Sequence, residues 1–308
     1  MTNIPYADET WSAVTGCSKV SPGCANCWAE RISHRFDQTR LPWTPEHAAE
    51  NIKVHPSKLE EPLHWRKPRT VFVCPMSDLF HPDVPDEFID QVFAVVGHAK
   101  QHRFLLLTKR AERMKWHCDS LAGSANIHRD RVLARYGFDA GLQFEQVLCG
   151  SRPYPLPNVW LGVSVENQHW ADERIPLLLD TPAAHRWVSA EPLLGAVDLR
   201  RFIGGPACNC ICGCPCTFGN LEASGLCSVC QISTWRDDDG RHAEMGSVDW
   251  VVLGGESGPG HRPMKLAWAD RISEQCYTAK VPYYGKQIAE VRPDQPLPGA
   301  LGRREVPW

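Results

Sequence analysis

The chain has 308 residues, 43% of them hydrophobic and 22% charged, and a formal net charge of −3. These values fit a globular protein of one large domain, or of one domain carrying an insertion, and argue against a disordered chain. They also exclude a broad electrostatic pull toward nucleic acid, and no apolar run approaches the length of a membrane span.

The first ten residues, Met1 to Thr10, are polar and lack the basic-then-apolar layout of a secretory leader, so the expected compartment is the cytoplasm. In a reducing compartment fourteen cysteines read as metal ligands rather than disulfides. The first group, Cys17, Cys24 and Cys27, has the spacing C-x6-C-x2-C, with Ser21, Pro22 and Gly23 favouring a loop that can wrap an inorganic centre. Three thiolates suit a 4Fe–4S cluster with one iron left open to a small ligand. A zinc site completed by a histidine such as His34 is the competing reading.

Six apolar runs follow, each ending in an unusual polar tail. They are Val71–Cys74 into Pro75–Phe80, Phe104–Leu107 into Thr108–Arg110, and Val159–Val163 into Ser164–Asn167. Then come Arg186–Val188 into Ser189–Pro192, Trp250–Leu253 into Gly254–Ser257, and Val281–Tyr284 into Gly285–Gln287. Continuous apolar runs of this length predict strands buried on both faces of a parallel sheet. Helical patterns span Asp86–Ala99 and Trp268–Ala279, and Arg129–Tyr136 is a helix within an irregular excursion from His117 to Pro157. The predicted fold is α/β, a partial or complete (β/α) barrel, with its site at the carboxyl ends of the strands. Asp78, Glu166, Glu191 and Glu256 stand in those tails, where one or two of them would instead cap helices. Two basic clusters, Arg66, Lys67 and Arg69, and Lys109, Arg110, Arg113 and Lys115, read as solvated faces.

The barrel-like domain covers residues 1–202 and 246–308, interrupted by a cysteine-rich lobe at 203–245. The lobe carries Cys208, Cys210, Cys212, Cys214 and Cys216, then Cys227-x2-Cys230, which is half of a zinc knuckle. Its partners are two of the preceding five, and the alternate spacing leaves open which. Structural zinc is the principal reading, beside a second cluster or surplus thiols.

Gly16-Cys17, Ser21-Pro22-Gly23-Cys24-x2-Cys27-Trp28-Ala29, Met76-Ser77-Asp78-Leu79-Phe80, Ser189-Ala190-Glu191-Pro192-Leu193-Leu194-Gly195, Gly254-Gly255-Glu256-Ser257-Gly258-Pro259 and Gly285-Lys286-Gln287 together resemble a phage-associated three-cysteine family. That family is similar to a divergent branch of the radical S-adenosylmethionine superfamily near spore photoproduct lyase. Shared features include an aspartate in the second-strand tip and Thr-Lys in the third, here Thr108-Lys109. Three departures stand. Six residues, not three, separate the first two cysteines; Asn26 replaces an aromatic; and Gly254-Gly255-Glu256 lies near the sixth strand, so no methionine-amino role passes to Glu256.

The resemblance implies a radical enzyme of phage or prophage origin, using a 4Fe–4S cluster and S-adenosylmethionine on a nucleic-acid base or modified nucleotide. An electron donor such as flavodoxin or ferredoxin would serve it. Cys17, Cys24 and Cys27 would hold three irons, while Asp78 meets the methionine amino group. Ser164, Glu166 and Asn167 would bind ribose, with Trp28 beside the cluster or adenine. Lys109, Glu191, Glu256, Lys286 and Gln287 would line the substrate side, under a loop at Pro259, Gly260 and His261. A different class of reading, a non-catalytic zinc-stabilised nucleic-acid-binding protein, explains the cysteines but not the polar strand tips. A zinc hydrolase lacks the H-E-x-x-H ligand set in this sequence.

Overall fold

The computed structural model describes residues 4–123, 154–203, 247–288 and 302–308. Seven parallel strands form one curled sheet in simple chain order. They are β1 (Glu9–Trp11), β2 (Thr70–Val73), β3 (Arg103–Thr108), β4 (Val159–Ser164), β5 (His185–Ala190), β6 (Trp250–Gly254) and β7 (Tyr283–Gln287). This is a mixed α/β architecture consistent with a partial (β/α) barrel. β1 is additional to the six strands expected from the sequence, and its three residues, two of them polar, are too short to show a pattern. Gly285-Lys286-Gln287, read as a tail, continues the last strand.

Among the described residues, five α-helices of eight or more residues accompany the strands: α1 (Trp28–Arg35), α2 (Asp86–His98), α3 (Ala111–Gly123), α4 (Gln168–Leu179) and α5 (Leu266–Ala279); a single turn of helix spans Ala48–Asn51. α2 begins with Asp86 and Glu87, whose charges suit the partial positive charge of a helix start. α4 is opened by Asn167, whose side chain accepts from the Trp170 amide at 3.2 Å. α5 ends at Lys280 in the left-handed conformation, its amide reaching the Cys276 and Tyr277 carbonyls. The stretch from His117, expected to be irregular, starts inside α3. The expected helix at 129–136 and all seven cysteines of the expected lobe lie outside the described residues.

Strand residues alternate between two cores. Val71, Val73, Phe104, Leu106, Leu161, Val163, Val188, Val251 and Leu253 pack outward with helix residues including Ile89, Phe93, Met114, Ile175 and Ile272. Phe72, Leu105, Trp160, Trp187, Trp250, Val252 and Tyr284 pack inward around Tyr6. Tyr6 precedes β1, yet its ring lies 5.3 Å from Tyr284 on β7 and 5.2 Å from Trp250 on β6. The sheet is therefore curled far enough for one ring to bridge its two edges. Below, Trp308 stands 5.5 Å from Trp160 and 5.1 Å from Trp250, with the Arg103 guanidinium 4.4 Å over its ring. Aromatic groups thus pack the amino-terminal end of the lumen, and a pocket lies at the carboxyl ends of the strands.

Gly162 shows how tight this filling is. A Cβ there would meet Trp187 Nε1 at 2.4 Å, and that indole is held by its bond to the Trp160 carbonyl at 3.3 Å. Gly162→Ala should therefore lower stability by about 1–3 kcal/mol, the usual cost of overpacking a core. Urea unfolding with an unchanged midpoint would show that the lumen has slack and would count against this packing.

Candidate functional site at the carboxyl ends of the strands

The segment joining β1 to β2 carries the three cysteines. It leaves and re-enters the fold through a short antiparallel ribbon, Val14–Thr15 against Lys53–Val54. Gly16 turns the chain with φ +83°, and a Cβ there would lie 2.0 Å from the Asn51 carbonyl oxygen, so no other residue fits. Pro22–Cys24 makes one 3₁₀ turn, and α1 starts directly after Cys27. The result brings Cys17, Cys24 and Cys27 onto one pocket of about 200 Å³, shared with Asp78, Lys109 and Ser164 from the tips of β2, β3 and β4.

Two carboxylates hold this loop against the sheet. Glu166, fully buried after β4, accepts from Ser21 Oγ at 2.5 Å and Arg174 Nη1 at 3.1 Å, with Lys109 Nζ 4.0 Å away. Its side chain sits so close under the loop that a Cβ on Gly23 would overlap its Oε1 at 2.4 Å. Glu256, after β6, accepts from Asn26 Nδ2 at 2.9 Å, from the Arg262 amide at 2.7 Å and from the Arg262 guanidinium. Arg262 also reaches the Pro22 carbonyl at 2.8 Å, and Arg31 of α1 reaches back to the Ser257 carbonyl at 2.7 Å. The loop at Pro259, Gly260 and His261 is part of the same brace, since Asn26 donates to the Gly260 carbonyl at 3.1 Å.

A second network lies under Cys17. Asp78 accepts from Thr108 Oγ1 at 2.7 Å, Phe80 N at 3.0 Å, Lys109 N at 3.1 Å and Arg110 Nη1 at 3.0 Å. Arg110 Nη1 also stands 3.5 Å from Cys17 Sγ, and Nη2 reaches the Ser18 carbonyl at 3.0 Å and hydroxyl at 3.2 Å. His81 Nδ1 accepts from the Asp83 amide, so its proton sits on Nε2 and is donated to Ser18 Oγ at 2.7 Å. Burial, aided by the charge of Arg110, pulls the His81 pKa down to about 4, which keeps the ring neutral at pH 7. Burial pushes the Cys17 thiol up to about 12 against the pull of Arg110. It also raises Cys27, against backbone amides at the start of α1.

On the lumen side, Lys109 Nζ donates to Ser164 Oγ at 2.8 Å, and Ser164 donates to the Glu191 carbonyl at 2.9 Å. Glu191 pairs with Lys286 at 3.1 Å and accepts from Ser189 Oγ at 3.2 Å. Lys286 Nζ lies 5.9 Å over the Tyr6 ring.

The three cysteines and three of the six expected strand tips therefore line one pocket, and several side chains named from the sequence have structural partners already. Asn167 caps α4, Glu166 and Glu256 anchor the cysteine loop, and Asp78 accepts four hydrogen bonds. Gln287 contributes its backbone, accepting from the Gly255 amide at 2.8 Å. Trp28 is 46% exposed. Cys74, the last residue of the first apolar run, lines the same pocket, and it is buried in the outer core as are Cys118 and Cys276. His34 Nε2 is engaged 3.1 Å from the Leu41 carbonyl. Among the described residues no three His, Cys, Asp or Glu side chains are grouped to hold a single metal ion.

The reading of Lys109, Arg110, Arg113 and Lys115 as a solvated face is corrected: Arg110 is only 9% exposed, drawn inward by Asp78. Sequence reasoning also passed over Ser18, His81, Arg174 and Arg262, and named Ser21 only as a loop former, not as a partner of Glu166. The signal available for Arg110 was its position directly after the Thr108-Lys109 tip.

Comparison with known proteins gives one family: Protein of unknown function (DUF5131), matching residues 1–304. No curated protein and no solved structure matches.

The Glu256 brace has a pH signature. Although burial alone would raise its pKa, hydrogen bonds from Arg262 and Asn26 hold the carboxyl down at about 2, against an ordinary 4.5. A depressed carboxyl stabilises fully above its unfolded pKa and loses that contribution as pH falls through the folded one. Wild type should therefore exceed Glu256→Gln in thermal midpoint at neutral pH, and the gap should close between about pH 4.5 and 2. A gap that stays constant over that range would remove the charge of Glu256 from the explanation.

Proposed function

Because the chain belongs to the DUF5131 family, whose description assigns no activity, we propose a function from the site itself: a radical S-adenosylmethionine-type iron–sulfur enzyme acting on a nucleic-acid base or modified nucleotide. The observation that carries this reading is the convergence of Cys17, Cys24 and Cys27 on one pocket at the carboxyl ends of a curled parallel sheet.

The donor set fits a 4Fe–4S cluster. A single ion gathers its thiolates around one point, whereas a cluster spreads them one per iron. Three thiols lining one pocket supply the one-thiolate-per-iron set that such a cluster uses. Cys17, Cys24 and Cys27 would hold the cluster, and Lys109, Ser164 and Asp78 border the space left for S-adenosylmethionine. When bound, these cofactors supply one-electron chemistry that removes a hydrogen atom from a substrate. The protein's part is to orient and to keep water out. Glu166 and Glu256 fix the cysteine loop, the aromatic lumen closes the site from below, and Lys109, Lys286 and Glu191 set charges above it. The substrate class, the phage setting and a flavodoxin- or ferredoxin-type electron donor come from the family resemblance.

Anaerobic reconstitution tests the reading. The wild-type protein should turn brown and hold about four irons at this site, one per cluster iron. Alanine at Cys17, Cys24 and Cys27 together should abolish that iron and colour. Reduction with dithionite in the presence of S-adenosylmethionine should release 5′-deoxyadenosine. A colourless protein prepared without oxygen would overturn the cluster assignment.

A further inference from the structure

Arg110 is a cation placed against one of the three thiols and against no other. Its Nη1 is divided between Asp78 Oδ2 at 3.0 Å and Cys17 Sγ at 3.5 Å, and its Nη2 is held by Ser18 at 3.0 and 3.2 Å. Every one of these anchors is itself fixed. Asp78 is pinned by Thr108 and by two backbone amides, and Ser18 Oγ is pinned by His81 Nε2 at 2.7 Å. The Arg110 amide adds a bond to Thr108 Oγ1 at 2.8 Å, so the backbone that carries the side chain is tied to the same cluster of groups. A guanidinium 9% exposed, with each nitrogen fork engaged, cannot swing into solvent when the pocket is filled. The other two sulfurs have weaker company. Cys24 Sγ has the Ser21 hydroxyl at 3.9 Å, and Cys27 faces amides at the start of α1 and feels the charge of Lys109 without a side-chain hydrogen bond from it.

We infer that Arg110 is a positioning residue that sets the reduction potential of the cluster, by holding a positive hydrogen-bond donor on the Cys17 sulfur; this rests on the iron–sulfur reading above. Reduction adds an electron that spreads onto the sulfurs. A donor aimed at a ligand sulfur stabilises that added charge, and potentials of such clusters follow hydrogen bonds to sulfur and local net charge. Asp78 works in the opposite direction, because its carboxylate shares the same Nη1 and bears on Cys17 as a like charge. Arg110 and Asp78 therefore form a pair whose two members shift the potential with opposite sign.

That opposition gives the test. Full-length wild type, Arg110→Met, Arg110→Lys and Asp78→Asn are reconstituted anaerobically and assayed for iron. Their midpoint potentials are then read by EPR-monitored titration without S-adenosylmethionine, on the loaded fraction. The expected result is a potential more negative than wild type in Arg110→Met, an intermediate value in Arg110→Lys, and a more positive value in Asp78→Asn. Loosening of the loop alone would move Arg110→Met and Asp78→Asn the same way, and that result would overturn the inference. So would an unchanged or higher potential in Arg110→Met, or a lysine variant at or below the methionine one. Wild type that takes up no cluster would overturn the parent reading and this inference with it, an outcome that iron content separates from the others.

Discussion

A carboxylate with no solvent exposure governs the geometry of this protein. Glu166 at the end of β4 gives up its hydration entirely, and an isolated buried charge of that kind would cost several kcal/mol. Arg174 of α4 answers it from behind, Lys109 stands at 4.0 Å, and Ser21 answers it from the cysteine loop. The loop cannot lift from the sheet without leaving this carboxylate short of a donor. Glu256 repeats the arrangement two strands further on, through Asn26 and Arg262. A segment that belongs by chain order to the first edge of the sheet is thus tied to its fourth and sixth strands, which only a curled sheet can offer.

The strand tips follow from the same constraint. A polar residue at the end of a buried strand must find a partner, and the partners nearest to hand are backbone amides and neighbouring tips. Asp78, Glu166 and Glu256 spend their acceptors on anchoring, and Asn167 on a helix cap. Ser164, Lys109, Glu191 and Lys286 form the remaining chain across the lumen mouth. Position at a carboxyl end therefore marks a residue as near the site without deciding whether it supports or acts.

The sheet was legible in the sequence because buried parallel strands are continuous apolar runs, and five of the six expected runs lie within a residue or two of the observed strands. β1 was not, since Glu9 and Thr10 pair at an edge and carry no apolar signature. The cysteine loop was legible from spacing, yet its braces were not. Ser21 and Glu166 are 145 residues apart, and Asn26 and Glu256 are 230 apart, so nothing local announces either contact. Arg110 was misread for a related reason. A run of basic residues ordinarily seeks solvent, and only the buried acceptor Asp78, 32 residues earlier, reverses that preference.

The aromatic lumen connects this fold to whatever chemistry the pocket performs. Trp160, Trp187, Trp250, Tyr284 and Tyr6 fill the barrel from below, and Trp308 closes its floor. The pocket consequently has buried, polarizable rings beneath it. Charges beside such a floor are poorly screened, so a guanidinium or carboxylate placed there acts more strongly on a neighbouring sulfur than the same group would at the surface. This explains why so many of the ionised groups around the three cysteines arrive in fixed pairs. Arg110 with Asp78, Arg174 with Glu166, Arg262 with Glu256 and Lys286 with Glu191 each cancel most of their own field. What remains is the directional part, the orientation of each pair, and at Cys17 that orientation turns the positive member toward the thiol.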